Sequence, residues 1–385
     1  MSGLQFRIGA SILLCLAITA GAFSSYAARQ TPSALKCGNA DIVGFIPANI
    51  ETNPSPRYPK NALIDGNEGW VVLEYMVSAN GSVRDPVVMD AMGPLELIEE
   101  SIRVIPTWKF RPASRNGVAV DEHRKQTEFI YRYESGTMSP TNQHDFMVVY
   151  VHAASDRTQA STHDEFSRLF KRGNDQLNDG KYAEAIQSLE DLLRARLNLY
   201  ERARASLALA MAYSETGDFA RAYHYIGHAT IRNAENLENR RRGEAFTLKM
   251  KLAIQAGAFA EAACAFEKLS SIDPAAIGPE SRAAKMMAAI NALIANPTPL
   301  EIPVKLAAIP HLGQPAGWQH RLLRSNFSFA QVQGEVKSFR LACTATVLEA
   351  AVDQEQLWSV PPGAGTCVLQ VYGAPGATFR LVEEW

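Results

Sequence analysis

The chain has 385 residues, and at about 150 residues per domain this length predicts two or three domains. Its 47% hydrophobic and 20% charged residues are typical of a soluble globular protein and argue against a disordered chain. The 38 Lys and Arg residues nearly balance the 40 Asp and Glu residues. A formal charge of -2 therefore argues against a nucleic-acid binder, which would carry an excess of positive charge.

The first 27 residues have the pattern of a secretory signal peptide. Arg7 precedes an apolar run at 8–23, and Ser25-Tyr26-Ala27 provides small residues at a cleavage site. The alternative is an uncleaved membrane anchor, but this run is shorter than the roughly 20 residues that span a bilayer. Cleavage would remove one of the five cysteines and leave four in an oxidising compartment, where disulfides form.

A small α+β domain is predicted at residues 40–135. The predicted elements are strands at 70–77 and 83–89, a helix from Leu95 to Ile105, and a closing strand at 127–133. Asn80-Gly81 separates the first two strands and is the strongest short signal for a tight hairpin turn. Apolar residues at spacings of three and four mark the helix, which Pro106 ends.

This domain contains a series of short motifs whose order along the chain is informative. They are Tyr58-Pro59, Glu68-Gly69 with Val71, Gly81 with Val83, and Trp108 with Phe110 and Pro112. With these motifs, residues at about 50–134 resemble the C-terminal domain of the TonB energy-transducer family. The resemblance implies that the closing strand is a free sheet edge, to which an extended segment of an outer-membrane receptor adds. The expected partner-binding residues on that edge are Thr127, Phe129, Tyr131 and Tyr133.

Residues 136–160 are predicted to be a linker, because Ser, Thr, Asn and Gln dominate them. Within this segment, residues 146–151 form a short strand-like run. The sequence does not indicate which strand would pair with it.

Helical repeats are predicted at residues 161–296. The motif Gly180-Lys181-Tyr182-Ala183-Glu184-Ala185 recurs from Gly217 and again from Gly257. In each copy, glycine is expected to turn the chain, the aromatic residue to pack between two antiparallel helices, and alanine to allow a close approach. The segment at about 162–295 resembles tetratricopeptide repeats. The intervals between copies exceed the usual ~34 residues, so another type of helical solenoid remains an alternative.

An all-β domain is predicted at 299–385, from alternating apolar residues and turns rich in glycine and proline. Cys343 and Cys367 lie on two of its strands and are expected to form a structural disulfide. Cys264 is interpreted as a buried thiol on a repeat helix. Its pairing with Cys37 is the alternative.

Chemical motifs give no indication of an enzyme. His224 and His228 have the i,i+4 spacing that can present two imidazoles to one metal, but no Glu follows His224 and no third ligand is near in sequence. We therefore expect a solvent-facing or interhelical histidine pair and no metal site. The chain shows no nucleophile elbow and no phosphate-binding glycine loop, so neither catalytic residues nor a cofactor are predicted, and a catalytic β domain is only a remote alternative.

The predicted fold class is thus multidomain α+β: a small TonB-like α+β domain, helical repeats and a C-terminal all-β domain. The predicted function is that of a periplasmic adapter, which binds an outer-membrane receptor or another envelope protein by strand addition and through the repeats. A membrane-anchored energy transducer is the alternative. Against it, no His precedes His123, no long proline-rich spacer is present, and the TonB-like domain comes first instead of last. Nucleic acid is not an expected partner.

Overall fold

The first part of the chain folds as strands and short helices, among which the predicted hairpin, helix and closing strand follow in the predicted order. The computed structural model describes residues 37, 42–132, 141–143, 146–152, 162–307 and 316–385, so the predicted signal peptide lies outside the described residues. The elements of this part are β1 (Phe45–Ile46), β2 (Asn49–Thr52), α1 (Lys60–Asp65), β3 (Gly69–Val77), β4 (Val83–Met92), α2 (Leu95–Val104), a 3-10 turn (Ile105–Thr107), β5 (Lys109–Arg111), β6 (Ala113–Arg115), β7 (Val118–Val120), β8 (Glu122–Arg132), β9 (Thr141–Gln143) and β10 (Phe146–His152).

The predicted hairpin joins β3 and β4 and turns at Gly81. This glycine has a φ of +82°, which favours a residue without a side chain. A Cβ atom there would lie 1.9 Å from the carbonyl oxygen of Phe110, and the Phe110 N–H donates to the Gly81 carbonyl at 2.9 Å. The hairpin tip is therefore fastened to β5 by a close backbone contact.

Five strands form the main sheet, in the order β4-β3-β8-β10-β9. Two small sheets, β1-β6-β7 and β2-β5, accompany it. Helix α2 places the buried Leu97 in the same apolar cluster as Trp108, whose ring lies 5.5 Å from that of Phe129. The core of the domain thus joins the helix, the segment after it and the central strand β8.

Helices make up the second part of the chain. They are α3 (Thr162–Asn178), α4 (Tyr182–Leu193), α5 (Leu199–Glu215), α6 (Phe219–Ala229), the short α7 (Ile231–Ala234), α8 (Asn239–Gln255), α9 (Phe259–Ile272), a 3-10 turn (Pro274–Ile277) and α10 (Arg282–Ala295). Three pairs, α3 with α4, α5 with α6 and α8 with α9, correspond to the three copies of the repeated motif. Among the described residues, no helix has both the length and the apolar character needed to cross a bilayer.

The repeated motif forms the turn and the contact surface of each helix pair. Its glycines all have a positive φ, between 72° and 77°, and its last alanines, Ala185, Ala222 and Ala262, are fully buried. The predicted packing of the aromatic residue is correct for Phe259, whereas Phe219 is exposed and Tyr182 is half-buried. The third copy differs because Ile302 of the β domain lies against the turn at Gly257.

The connection between the second and third helix pairs contains a break. Arg232, Asn233 and Ala234 in α7 all have a positive φ, between 51° and 58°, so the chain reverses its local handedness there. This extra turn lengthens the second repeat. It contributes to the second interval between motif copies, from Gly217 to Gly257, which exceeds that of a regular tetratricopeptide array.

The C-terminal part is a sandwich of two four-stranded antiparallel sheets. Its strands are β11 (Leu300–Lys305), β12 (Ala316–Arg321), β13 (Asn326–Gln333), β14 (Val336–Cys343), β15 (Val347–Ala351), β16 (Trp358–Ser359), β17 (Cys367–Gly373) and β18 (Thr378–Glu384). One sheet has the order β11-β18-β13-β16 and the other β12-β17-β14-β15. Phe327 and Phe329 of the first sheet pack on Phe339 of the second, with ring centroids 5.6 and 5.4 Å apart.

Four cysteines form two disulfides in the described part of the chain. Cys343 and Cys367 are directly opposite each other on β14 and β17 and are bonded. Cys37 is bonded to Cys264 on α9, 227 residues away. The interpretation of Cys264 as a buried thiol was therefore wrong. The sequence did not indicate this pairing, because two cysteines so far apart in sequence meet only through the tertiary fold.

Buried polar contacts join the TonB-like sheet to the other two parts. The Glu68 carboxylate accepts a hydrogen bond from the Leu199 N–H at the start of α5, and its carbonyl accepts one from Arg202 Nε, both at 2.9 Å. Burial lowers the pKa of Arg202 to about 10, although the charge of Glu68 acts in the opposite direction. Glu74 on β3 accepts from Arg340 of the sandwich at 3.0 Å. The charged groups in these contacts are hydrogen-bonded, as interior charges need to be.

Candidate functional site

The strand that was predicted to be a free edge lies inside the main sheet. On one side, β8 pairs antiparallel with β3, and on the other side it pairs parallel with β10, from Phe146 opposite Gln126 to His152 opposite Arg132. The edge prediction is therefore corrected for Thr127, Phe129 and Tyr131. The fourth expected residue, Tyr133, lies outside the described residues.

The expected binding residues on β8 make contacts in the interior of the domain. The Thr127 hydroxyl is hydrogen-bonded to the Tyr75 hydroxyl at 2.8 Å, and the Tyr131 hydroxyl is hydrogen-bonded to that of Ser101 at 2.8 Å. Phe129 is fully buried. Burial raises the pKa of Tyr75 and of Tyr131 above the ordinary tyrosine value, so both phenols stay neutral in the core.

Strand β10 covers β8 because its side chains complete apolar clusters on both faces of the sheet. Met147, Val149 and Val151 are buried with the core around Trp108. Tyr150 points to the other face, where it joins Trp70 and Leu199 of α5 in a smaller cluster. The strand-like run at 146–151 thus has β8 as its partner, and it lies within the segment that was predicted to be a linker.

A groove of about 760 Å³ runs between the helices of the repeats. Helices α5 and α8 contribute most of its lining, and residues of α3, α4, α9 and α10 complete it together with Asp273. Its apolar lining includes Leu207, Leu248 and three methionines: Met211, Met250 and Met286. Methionine side chains are flexible and polarizable, so such walls adapt to the shape of different apolar groups.

Charges of both signs surround this groove. Arg240, Lys251 and Arg282 are among its lining residues, together with Glu215 and Glu244. Arg240 and Glu244 approach within 3.8 Å on the exposed surface of α8. A groove with an apolar floor and a mixed-charge lining has the character of a site for an extended peptide, which can place apolar side chains in it and keep its polar groups in water.

A second polar site lies where β4 meets the second helix pair. His228 Nε2 of α6 is 2.9 Å from Asp90 Oδ1 of β4, and the rings of His224 and His228 have centroids 4.1 Å apart. The ligand atoms of these three residues all lie within 4.8 Å of one another. The expected solvent-facing or interhelical pair is therefore part of an interdomain cluster, in which Asp90 is a third potential ligand that the sequence did not indicate.

The cluster is partly buried: His228 is buried, whereas Asp90 and His224 are half-buried. The side chain of His228 is 1% exposed and its ring packs edge to face on Trp70, with centroids 5.0 Å apart. Burial would raise the pKa of Asp90, but the charge and hydrogen bond of His228 and the charge of His224 outweigh it, so the pKa lies below the ordinary value. Burial lowers the pKa of the nearby Lys249 ammonium, whereas the Glu261 and Asp90 charges act to raise it.

Two of these features left no usable pattern in the sequence. Asp90 is one carboxylate among 40 acidic residues, and its position 134 residues before His224 carries no spacing that indicates a shared site. The groove depends on how several helices stack. The sequence contains Met211, Met250 and Met286, but it does not indicate that they line one surface. By contrast, the i,i+4 spacing of His224 and His228 was a usable signal, because it places two rings on one helix face.

Comparisons with known proteins identify part of the chain. Residues 54–133 match the family described as Gram-negative bacterial TonB protein C-terminal. Protein tonB2 of Pseudomonas aeruginosa is 36% identical over 69 residues, which are 18% of this chain and 26% of that protein. The chain covers between about a quarter and about a third of the length of the curated TonB proteins that it matches.

Two solved structures are each similar to part of this chain. The Yersinia enterocolitica type III secretion chaperone SycD, solved with a peptide of the translocator YopD, is 20% identical with a TM-score of 0.29, over 35% of this chain and 98% of that chain. The Pseudomonas aeruginosa TonB C-terminal domain is 22% identical with a TM-score of 0.20, over 23% of this chain and 89% of that chain. The family match confirms the resemblance found in the sequence: residues 54–133 of this chain are a TonB C-terminal domain.

Proposed function

We propose that this chain is an exported, TonB-like adapter that holds an extended segment of another envelope protein in the groove of its helical repeats. The observation that carries the proposal is the groove of about 760 Å³, with an apolar, methionine-rich floor and charges of both signs around it. Met211 of α5 is 42% exposed in this groove, which is a large apolar exposure for a residue on a packed helix. A bound peptide would cover it.

Strand addition to β8 is a second route to the same partner, and it requires β10 to leave. Removing β10 would expose Met147, Val149, Tyr150 and Val151, and each such side chain contributes about 1.5–3 kcal/mol when buried. An incoming strand would need apolar residues at alternating positions to replace them. Because the groove needs no such exchange, we assign the first contact with the partner to the groove.

The expected partner is an outer-membrane receptor or another envelope protein, since the TonB-like domain belongs to a family that acts on such receptors. We place the adapter in the periplasm. N-terminal sequencing distinguishes it from the anchored alternative: a mature chain that starts near Ala28 supports an exported adapter. Retention of Met1 in a membrane fraction would support an energy transducer instead.

Site-specific photocrosslinking in cells tests the groove. A photoreactive residue at Met211 is expected to give an adduct with a specific envelope protein. The matched control is the same substitution at Leu293 of α10, which is 44% exposed and does not line the groove. Once the partner is identified, Met211→Asp should weaken its binding by about tenfold or more, since it would bury a charge against the ligand. Leu293→Asp should leave binding unchanged.

Three results would contradict the groove assignment. Equal adducts at Met211 and Leu293 would indicate nonspecific contact. The absence of adducts at both positions would show that the partner does not bind in the groove. An adduct at Arg132, at the end of β8, without one at Met211 would favour strand addition over groove binding.

A further inference from the structure

We propose that Asp90, His224 and His228 form a binding site for one divalent transition-metal ion, with Zn²⁺ as the preferred ion. The site would join the TonB-like domain to the helical repeats. This inference is independent of the adapter function. The cluster lies on β4 and α6, and none of its three residues lines the groove.

The spacing of the donor atoms suits such an ion. Zn²⁺ binds imidazole nitrogen and carboxylate oxygen at about 2.0–2.2 Å, so tetrahedral ligand atoms lie roughly 3.3–3.5 Å apart. His228 Nε2 and Asp90 Oδ1 are 2.9 Å apart, and all three donors lie within 4.8 Å of one another. Side-chain adjustments of about 1 Å would therefore bring the three donors to tetrahedral positions.

The chemical types of the donors favour zinc over calcium or magnesium. Two imidazoles and one carboxylate are a common zinc ligand set, whereas Ca²⁺ and Mg²⁺ prefer oxygen ligands throughout. Three protein ligands leave the fourth position of a tetrahedral ion open to water. The carboxylate also supplies the negative charge that offsets burial of a divalent cation.

Packing holds the ligands in place before any ion binds. The His228 ring lies edge to face on Trp70, and the His224 ring lies edge to face on Tyr225, with centroids 5.2 Å apart. Asp90 Oδ1 also accepts a hydrogen bond from the Ala91 N–H at 2.9 Å. Such neighbouring contacts restrict the orientation of metal ligands and increase affinity.

The structural alternative is that Asp90 and His228 form a simple interdomain hydrogen bond and that no ion binds. Two variants separate these possibilities. His224→Ala removes one ligand and leaves the Asp90–His228 bond in place. Asp90→Asn keeps an oxygen that can accept from His228 Nε2, but it removes the anionic ligand.

Calorimetric titration of the chelator-treated full-length protein with Zn²⁺ alone tests the proposal. We expect one ion per chain with micromolar or tighter affinity, and a rise in Tm of about 3–4 °C when free Zn²⁺ exceeds Kd a hundredfold. His224→Ala and Asp90→Asn should each weaken binding by about 10–100-fold. His123→Ala, at a half-buried histidine on β8 outside the cluster, is the matched control and should bind as the wild type does.

Substitution of Co²⁺ adds a spectroscopic readout, since a tetrahedral site gives visible ligand-field absorption that both ligand variants should lose. The proposal is overturned if the wild-type chain binds no Zn²⁺ in the micromolar range. It is also overturned if His224→Ala and Asp90→Asn bind Zn²⁺ as tightly as the wild type, because the ion would then be held elsewhere.

Discussion

Replacing Glu383 by alanine is expected to lower the free energy of unfolding by about 3–5 kcal/mol. The Glu383 side chain of β18 is 0% exposed and lies 2.6 Å from His320 Nε2. Its other oxygen accepts hydrogen bonds from the Leu323 and Arg324 N–H groups at 2.7 and 2.9 Å. Alanine would leave a buried imidazole, a buried amide and a partly buried amide without their acceptor. A buried group that is left unsatisfied carries the full cost of its desolvation.

Urea denaturation of the wild-type and variant chains measures this loss. Glu383→Gln keeps the volume and one acceptor oxygen, so we expect a smaller loss than for alanine. Glu355→Ala changes an exposed residue of the same sandwich and should stay within about 0.5 kcal/mol of the wild type. A loss below about 1 kcal/mol for Glu383→Ala would contradict the role of this carboxylate as the buried acceptor of the sandwich.

A second large effect is expected at Glu128, where the stability of the chain should depend on pH. Burial raises the pKa of this β8 carboxyl from 4.5 to about 8; the charges of Glu235 and Asp90 add to the rise and that of Arg232 opposes it. Between these two pKa values the folded chain binds a proton that the unfolded chain releases. Stability is therefore fully present below about pH 4.5 and falls by about 1.4 kcal/mol per pH unit up to about pH 8.

Glu128→Gln should remove this pH dependence, because the amide has the size of the carboxyl and does not titrate. We expect the variant to match the wild type near pH 4 and to be more stable by about 2–4 kcal/mol at pH 7. Denaturation at both pH values measures the difference. Glu99→Gln on the exposed face of α2 is the control and should follow the wild type at both. A Glu128→Gln chain that is less stable than the wild type at pH 7 would show that the ionised carboxylate has a stabilising partner.

Local patterns explain why the TonB-like hairpin and the helix after it could be predicted. The turn at Gly81 depends on a backbone conformation that glycine adopts easily, and the α2 helix depends on apolar residues that recur every three to four positions. The helix pairs were predictable for a similar reason. Each copy of the motif places glycine in a turn and alanine at a contact, regardless of the rest of the fold.

Pairings between distant segments were not predictable in the same way. The apolar run at 146–151 predicts a strand, but it does not indicate pairing with β8, since many apolar strands would complete the same sheet. This pairing leaves residues 126–132 of β8 without a free edge. The Cys37–Cys264 disulfide and the approach of Asp90 to His228 have the same origin, because each joins residues more than 130 positions apart.

The sequence by itself determined the three kinds of structure in this chain and the TonB-like identity of residues 54–133, since these follow from local periodicity, turn residues and motif order. The tertiary structure alone decided which surfaces are covered and which side chains meet. Strand pairing and domain packing depend on the total apolar area buried by distant segments, and no short stretch of residues contains that information. Three features depend on the tertiary structure in this way: the paired edge of β8, the open groove around Met211, and the cluster of Asp90 with two histidines.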